Sequence, residues 1–352
     1  MRWDGQRLTA ERDEGTLPGL PLAGLVRTVR TPEFAGVTFH EVLCRSALNK
    51  VPAASQMPFR WTINPTRGCL HACTYCFARP THEYLELGAG VDFETQIVVK
   101  TNVVEVLRAE LARRSWSHEH VALGTNTDPY QRVEGRYRLM PGIIAALAGS
   151  GTPLSILTKG TLLRRDLPLL VEAADQVPVG LGVSLAVGDE TLQQVVEPGT
   201  PTPRARLDLI RAVREAGLPC GVMVAPVMPW LTDGADQLDD LLTRLADAGA
   251  TGVTVLPLHL RGSVKPLFLQ WLAEHEPHLV GRYEALYGPR SSVPPEYSRW
   301  LRDRVAPLLA RHGFASSAGH RSQRGEGSYP VGSIPWGRAE APDPQVAQPT
   351  LF

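Results

Sequence analysis

Arg60-Trp-Thr-Ile-Asn64-Pro-Thr-Arg-Gly-Cys69-Leu-His-Ala-Cys73-Thr-Tyr-Cys76-Phe-Ala-Arg79 couples a short apolar run to three cysteines spaced C-x3-C-x2-C. The run over 60–64 reads as a β-strand, and the thiols occupy the loop that leaves it. Three thiolates on one loop can wrap one face of a compact iron–sulfur cube. A [4Fe–4S] cluster has four irons, so three protein ligands leave one iron with an open position. Such a position suits a catalytic centre, whereas structural metal sites are closed. The alternative is a Cys3His zinc site completed by His71 or His82. An electron-transfer cubane needs a fourth thiol, and only Cys44 and Cys220 remain. Cys220 opens an apolar run, where a free thiol behaves as a small hydrophobe.

Outward from this loop, short β-branched runs alternate with amphipathic stretches. Strands are expected at 60–64, 121–125, 154–158, 179–185, 221–225 and 253–258, with helices at 103–114, 142–148, 167–174, 203–216 and 235–248. Pro203 fits a helix start and Gly217 a helix stop, and Asp233 is placed to N-cap the helix that follows. Strands alternating with helices argue for parallel βαβ units. Six of them fit an α/β fold of the partial (β/α)6 TIM-type barrel kind better than a full eight-fold barrel. A doubly wound sheet shares the rhythm. In either fold, functional groups gather at the C-terminal ends of the strands. The expected organisation is an N-terminal extension over 1–57 packed on the core, a barrel core over 58–262, a helical region over 263–312, and a flexible tail over 313–352 with little periodicity.

The 352 residues carry 36 Lys+Arg against 36 Asp+Glu, a formal net charge of zero. That balance excludes a polybasic protein held on nucleic acid by bulk charge but leaves room for a local basic face. No apolar run approaches the roughly 18–20 residues that span a bilayer, and residues 1–14 are charged where a signal peptide would be apolar. Five cysteines, three of them crowded within 69–76, do not form a secreted disulfide framework. A soluble, cytoplasmic chain with reduced thiols is expected.

The cysteine loop after the first strand, with Tyr75 just before the third cysteine, resembles the signature of the radical S-adenosylmethionine (AdoMet) superfamily. The resemblance implies that Cys69, Cys73 and Cys76 hold a [4Fe–4S] cluster whose open iron is chelated by AdoMet. One electron then cleaves AdoMet to methionine and a 5′-deoxyadenosyl radical, which abstracts hydrogen from a substrate. It also implies an electron donor such as flavodoxin or ferredoxin. Over about 61–260 the closer resemblance is to the spore photoproduct lyase-like branch and its DNA repair photolyase-related bacterial members. It rests on Ala78-Arg-Pro-Thr-His-Glu-Tyr-Leu85, Gly124-Thr-Asn-Thr-Asp-Pro-Tyr-Gln131, Leu157-Thr-Lys159 and Ala225-Pro-Val-Met-Pro229. By that resemblance Tyr75 lies near the adenine, and Thr127, Lys159 and Ser184 contact AdoMet. One departure stands out. The lyase carries a hydrogen-donating cysteine where this chain has Thr125, and a hydroxyl is a much poorer hydrogen-atom donor than a thiol.

Arg79, His82, Glu83 and Tyr84 follow the cysteine loop; Asp128, Tyr130, Gln131 and Glu134 follow the second strand. Arg79, His82, Asp128, Tyr130 and Gln131 are the substrate-contact candidates, on the expectation that they face one barrel mouth. Read singly, Asp128 before Pro129 initiates a turn, and Glu134 is a solvated charge. His259, after the sixth strand, is a further candidate. Residues 299–324 hold six arginines against Asp303, which suits either a phosphate-tracking surface or a solvated helix face. The terminal Gln348-Pro-Thr-Leu-Phe352 resembles the short peptide by which bacterial repair proteins bind the sliding clamp, with Gln348, Leu351 and Phe352 as anchors. The leading expectation is a monomeric radical enzyme acting on nucleic acid, in DNA repair or modification. Rival readings are a radical enzyme acting on a small molecule or protein, and a non-enzymatic metal-bearing interaction protein.

Overall fold

The computed structural model describes residues 24–52, 55 and 57–314. The expected clamp peptide and nearly all of the expected tail therefore lie outside the described residues, as do residues 1–23.

All six expected strands form, as β4 (Trp61–Ile63), β7 (Val121–Leu123), β8 (Leu154–Thr158), β9 (Val179–Ser184), β10 (Gly221–Val227) and β11 (Gly252–Pro257). They lie side by side in chain order and every neighbouring pair is parallel. Parallel neighbours need a crossover, and the expected helices supply it: Val103–Leu111, Leu139–Gly149, Leu167–Ala174, Pro203–Glu215 and Ala235–Asp247. The result is the partial barrel that the rhythm implied. β8 and β9 are almost wholly buried, because a sheet covered by helices has no solvent face. Within the described residues no helix is long and apolar enough to cross a membrane.

Five further strands escaped the sequence reading. β3 (Leu48–Lys50) pairs antiparallel with β4 and edges the barrel sheet. A second sheet runs β1 (Leu25–Val29), β2 (Thr38–Val42), β6 (Gln96–Lys100), β5 (Thr66–Arg67). Part of the N-terminal segment is thus sheet, a feature the sequence reading left unassigned. β5 lies within the loop that carries the cysteines, so the second sheet anchors that loop from behind.

The helix Pro203–Glu215 starts on proline, is capped by the Thr202 hydroxyl on Ala205 N–H at 3.2 Å, and stops before Gly217 at φ +81°. The Asp233 cap does not form. Gly234 takes that position, and the Asp233 carboxylate instead accepts from Trp230 N–H (2.9 Å) and Tyr297 O–H (2.8 Å). Helices Val264–His275, Val280–Tyr287 and Pro295–Arg311 follow the barrel. A second apolar cluster joins Phe268, Trp271, Tyr283 and Tyr287 of the first two helices to Met228, Cys73 and Tyr75, so this layer closes on the cysteine loop.

Candidate active site at the cysteine loop

Parallel register decides which residues emerge together at the strand ends. Thr158 of β8 pairs with Val183 of β9, so the next residues, Lys159 and Ser184, sit side by side. Lys159 Nζ lies 2.7 Å from Ser184 Oγ. Gly124, just past β7, has φ +91°, and a Cβ there would fall 1.9 Å from the Leu157 carbonyl oxygen; only glycine lets these strand ends approach.

The cysteine loop is clamped from three sides. Arg79 is buried and turns inward, donating to the carbonyls of Cys73 (2.9 Å), Ala72, Ala89 and Gly90 (3.1 Å each) and pairing with Glu94. Gln131 accepts from Leu70 N–H (2.8 Å) and donates to Gly68 O, Thr66 Oγ1 and Thr127 Oγ1. Thr127 itself donates to Gly68 O at 2.9 Å. Asp128 takes Lys159 N–H (2.6 Å), Thr158 Oγ1 (2.5 Å) and Tyr130 N–H (2.9 Å), and its Oδ2 lies 3.4 Å from His71 Nδ1. Burial would push the Asp128 carboxyl up, but His71 and these donors hold it below its ordinary value. Burial likewise opposes protonation of His71, yet Asp128 and the Cys69 sulfur outweigh it and raise the imidazole to about 10. Finally, Gly199 N–H reaches His71 O at 3.1 Å, and a Cβ on Gly199 would lie 1.8 Å from Leu70 O.

Beside this clamp lies a second polar group. The Glu197 side chain is fully buried and receives the Tyr75 phenol; Lys159 Nζ is 3.9 Å away and Arg206 Nη2 2.7 Å away. Arg206 is also fully buried and donates from Nη1 to Ser184 O at 3.1 Å. Its Nη2 is close enough to Glu197 for ion pairing but not aligned as a hydrogen bond, and its Nε has no partner among the described residues. Burial would raise the Glu197 carboxyl; Arg206, Lys159 and the Tyr75 hydroxyl hold it down. Burial and the Glu197 charge push the Tyr75 phenol well up. Lys159 also lies 5.8 Å from the Tyr75 ring centroid.

The expected cofactor residues therefore divide. Tyr75, Lys159 and Ser184 converge, whereas Thr127 spends its hydroxyl inside the clamp. The five expected substrate contacts do not line an open mouth. Arg79 and Asp128 are clamps, Gln131 is 1% exposed, and Tyr130, 1% exposed, donates to Asp166 Oδ2 at 3.0 Å. His82 is 0% exposed and uses Nε2 on Gln96 O at 2.9 Å. Most of their polarity goes into holding the loops in place, although His82 Nδ1 has no partner among the described residues. Glu134, far from being solvated, accepts from Leu139 and Met140 N–H and caps their helix. His259 is exposed, with Nδ1 at 2.9 Å from Ser292 Oγ. Arg299, Arg302 and Arg311 are paired with Glu296, Asp303 and Asp239, the arrangement of a solvated helix face. Sequence reasoning missed Glu197 and Arg206. Arg206 carried a signal: it falls on the apolar stripe Pro203, Leu207, Ile210, Val213 of its helix, where a lone charge demands a buried partner.

A family profile described as the Radical SAM superfamily matches residues 63–254, which begin at the end of β4 and stop in β11. The chain belongs to the radical SAM superfamily. Within it, Rv2578c of Mycobacterium tuberculosis is 65% identical over 318 residues, covering 90% of this chain and 94% of that one. ORF301 of Acidianus two-tailed virus is 31% identical over 210 residues, 57% of this chain and 68% of its own. The fold is shared with spore photoproduct lyase complexed with dinucleoside spore photoproduct, at TM-score 0.57 and 17% identity over 78% of this chain and 79% of that chain. A doubly substituted lyase with bound AdoMet and dinucleoside spore photoproduct aligns at TM-score 0.55 and 16% identity over the same shares.

This radical SAM protein therefore calls for AdoMet and an iron–sulfur cluster, and its residues fit both. Three free thiols, two buried and one half-buried, share one loop whose carbonyls are fixed from behind. Burial pushes the Cys73 and Cys76 thiols up, a cost that iron ligation would overcome by deprotonating them. Of the two imidazoles weighed for a zinc site, His71 faces Asp128 and His82 holds Gln96 O through Nε2, with its Nδ1 unpartnered among the described residues. Beside the thiols, Lys159, Ser184 and the orphaned Arg206 Nε offer donors for a polar, partly anionic cofactor.

Proposed function

We propose that Cys69, Cys73 and Cys76 hold a [4Fe–4S] cluster, that Lys159, Ser184 and Tyr75 bind AdoMet beside it, and that the enzyme abstracts hydrogen from a nucleic acid. The observation that carries the reading is the convergence of the thiol loop with Lys159, Ser184 and Glu197 at one set of parallel strand ends. When bound, the cofactor pair supplies one-electron cleavage and hydrogen abstraction; the protein supplies placement. Lys159 presents an ammonium to a carboxylate, and Ser184 a hydroxyl to a sugar or amine. Glu197, 3.9 Å from its Nζ, helps to position Lys159. Met228, Leu258 and Leu260, all 0–1% exposed, keep that wall dry.

Support for nucleic acid comes from the shared fold of a lyase solved with a dinucleoside photoproduct, and from the terminal Gln348, Leu351 and Phe352 as clamp anchors. Thr125 donates from its hydroxyl to Asn64 Oδ1 at 3.3 Å, so no thiol stands at that place to return hydrogen to the product. The chemistry fits modification or a differently terminated repair better than the lyase's own cycle.

The decisive experiment reconstitutes the protein anaerobically and follows deuterium from labelled DNA or RNA into 5′-deoxyadenosine. Label transfer supports the reading. Label transferred only from a small-molecule or protein fraction would replace the substrate, and a centre indifferent to AdoMet would sink the enzyme. Recovery of the sliding clamp by wild type but not by Leu351→Ala/Phe352→Ala tests the partner, with equal recovery removing it.

A further inference from the structure

Two tryptophans stand at the surface of the C-terminal layer, and neither serves the cofactor site. Trp230, 36% exposed, is the third residue past β10, next to Met228 and Leu231 of the apolar cluster that includes Cys73 and Tyr75. Trp300, 40% exposed, lies on the helix Pro295–Arg311. Each carries a guanidinium on its ring: Arg282 Cζ is 4.3 Å from the Trp230 centroid and Arg304 Cζ is 4.1 Å from that of Trp300. Neither arginine has a carboxylate partner among the described residues, unlike Arg299, Arg302 and Arg311.

One buried carboxylate ties the two pairs together. Asp233 accepts from Trp230 N–H (2.9 Å) and Tyr297 O–H (2.8 Å), and its carbonyl accepts from Arg304 Nη1 (2.9 Å). The Tyr297 ring lies 5.2 Å from Trp300. Trp230 is held in the left-handed region, φ +61°, which an indole occupies only when its surroundings impose it, and its ring meets Tyr283 edge-on at 5.5 Å. Asp233 gives up a helix cap to make these contacts. The product is a preorganised set of indole and guanidinium planes whose Trp230 end adjoins, through Met228 and Leu231, the apolar cluster that includes Cys73 and Tyr75.

We propose that this strip binds single-stranded nucleic acid, stacking bases on Trp230, Trp300 and the outer faces of Arg282 and Arg304. The inference rests on the nucleic-acid reading above and names the strand's route into the site. A guanidinium lying on an indole keeps one face for a base and its in-plane N–H groups for a phosphate. Aromatic planes tolerate any base, and two arginines without a carboxylate partner among the described residues supply charge complementarity without a basic protein overall.

The test titrates full-length, cluster-loaded protein into a fluorescein-labelled oligothymidylate and reads polarisation. AdoMet cleavage without substrate is measured in parallel. Trp300→Ala and Trp230→Asn, the latter chosen because asparagine tolerates the left-handed backbone, each weaken binding about fivefold to a hundredfold. Trp300→Phe keeps most of it, which separates stacking from misfolding. Arg282→Gln flattens the slope of log affinity against log salt by about 0.7. Unperturbed binding by Trp230→Asn/Trp300→Ala would overturn the strip while leaving the substrate reading intact. Failure of the wild type to bind any DNA or RNA oligonucleotide also overturns it; deuterium transfer judges the substrate independently.

Discussion

Two buried polar groups meet at the same strand ends and behave oppositely. In the first, Arg79, Gln131, Thr127 and Asp128 direct their donors and acceptors at backbone and at one another. In the second, Lys159, Ser184, Glu197 and Arg206 balance charge but leave donors unspent, including the Arg206 Nε. Residue type does not distinguish them, since each holds an arginine and a carboxylate. Satisfaction does. A polar group whose bonds are complete is framework, and one stabilised by charge with capacity left over is prepared for a ligand.

The contrast can be broken at several points. Cys73→Ala removes a proposed cluster ligand that neither group can replace, so reconstituted iron and AdoMet cleavage should both disappear; iron analysis checks this. Arg79→Ala strikes the framework. It strands four carbonyls and Glu94, and urea unfolding of the cluster-free protein should register a loss of about 3 kcal/mol. Lys159→Met strikes the other group. Stability should change by less than about 1 kcal/mol, because Arg206 still neutralises Glu197, while calorimetry shows AdoMet binding weakened about tenfold to a hundredfold. If Lys159→Met instead unfolds the protein as badly as Arg79→Ala, the division between the groups is wrong.

A smaller effect sharpens the framework side. Burial holds His82, beneath the cysteine loop, down to about 4. Between its ordinary 6.5 and that value the unfolded chain binds a proton that the folded chain does not. Stability should therefore fall as pH falls through this window, by about 1.4 kcal/mol per unit. His82→Gln should remove that contribution from the pH dependence of urea midpoints, leaving a shallower slope from His120, which burial also lowers to about 4.

Much of this was legible before any coordinates. The six parallel strands could be read because each is a short apolar, β-branched run set between amphipathic helices. β6 could not: Ile97-Val98-Val99 is as apolar as any of them, but its partner β2 lies far upstream, and nothing local announces pairing between distant segments. Lys159 and Ser184 were readable as strand-end residues. Glu197 was not, because it sits in the loop between the short helix Glu190–Val196 and the helix Pro203–Glu215, with no periodicity to betray its burial.

Local sequence alone brought the three thiols together, since three cysteines within eight positions need only the short loop that carries them. Whether a neighbouring polar side chain grips the backbone or waits for a cofactor depended on the register of β8 against β9 and on where the Glu197 loop comes to rest. Hydrogen bonds are satisfied in space, and their partners here, such as Tyr75 and Glu197, stand 122 residues apart along the chain.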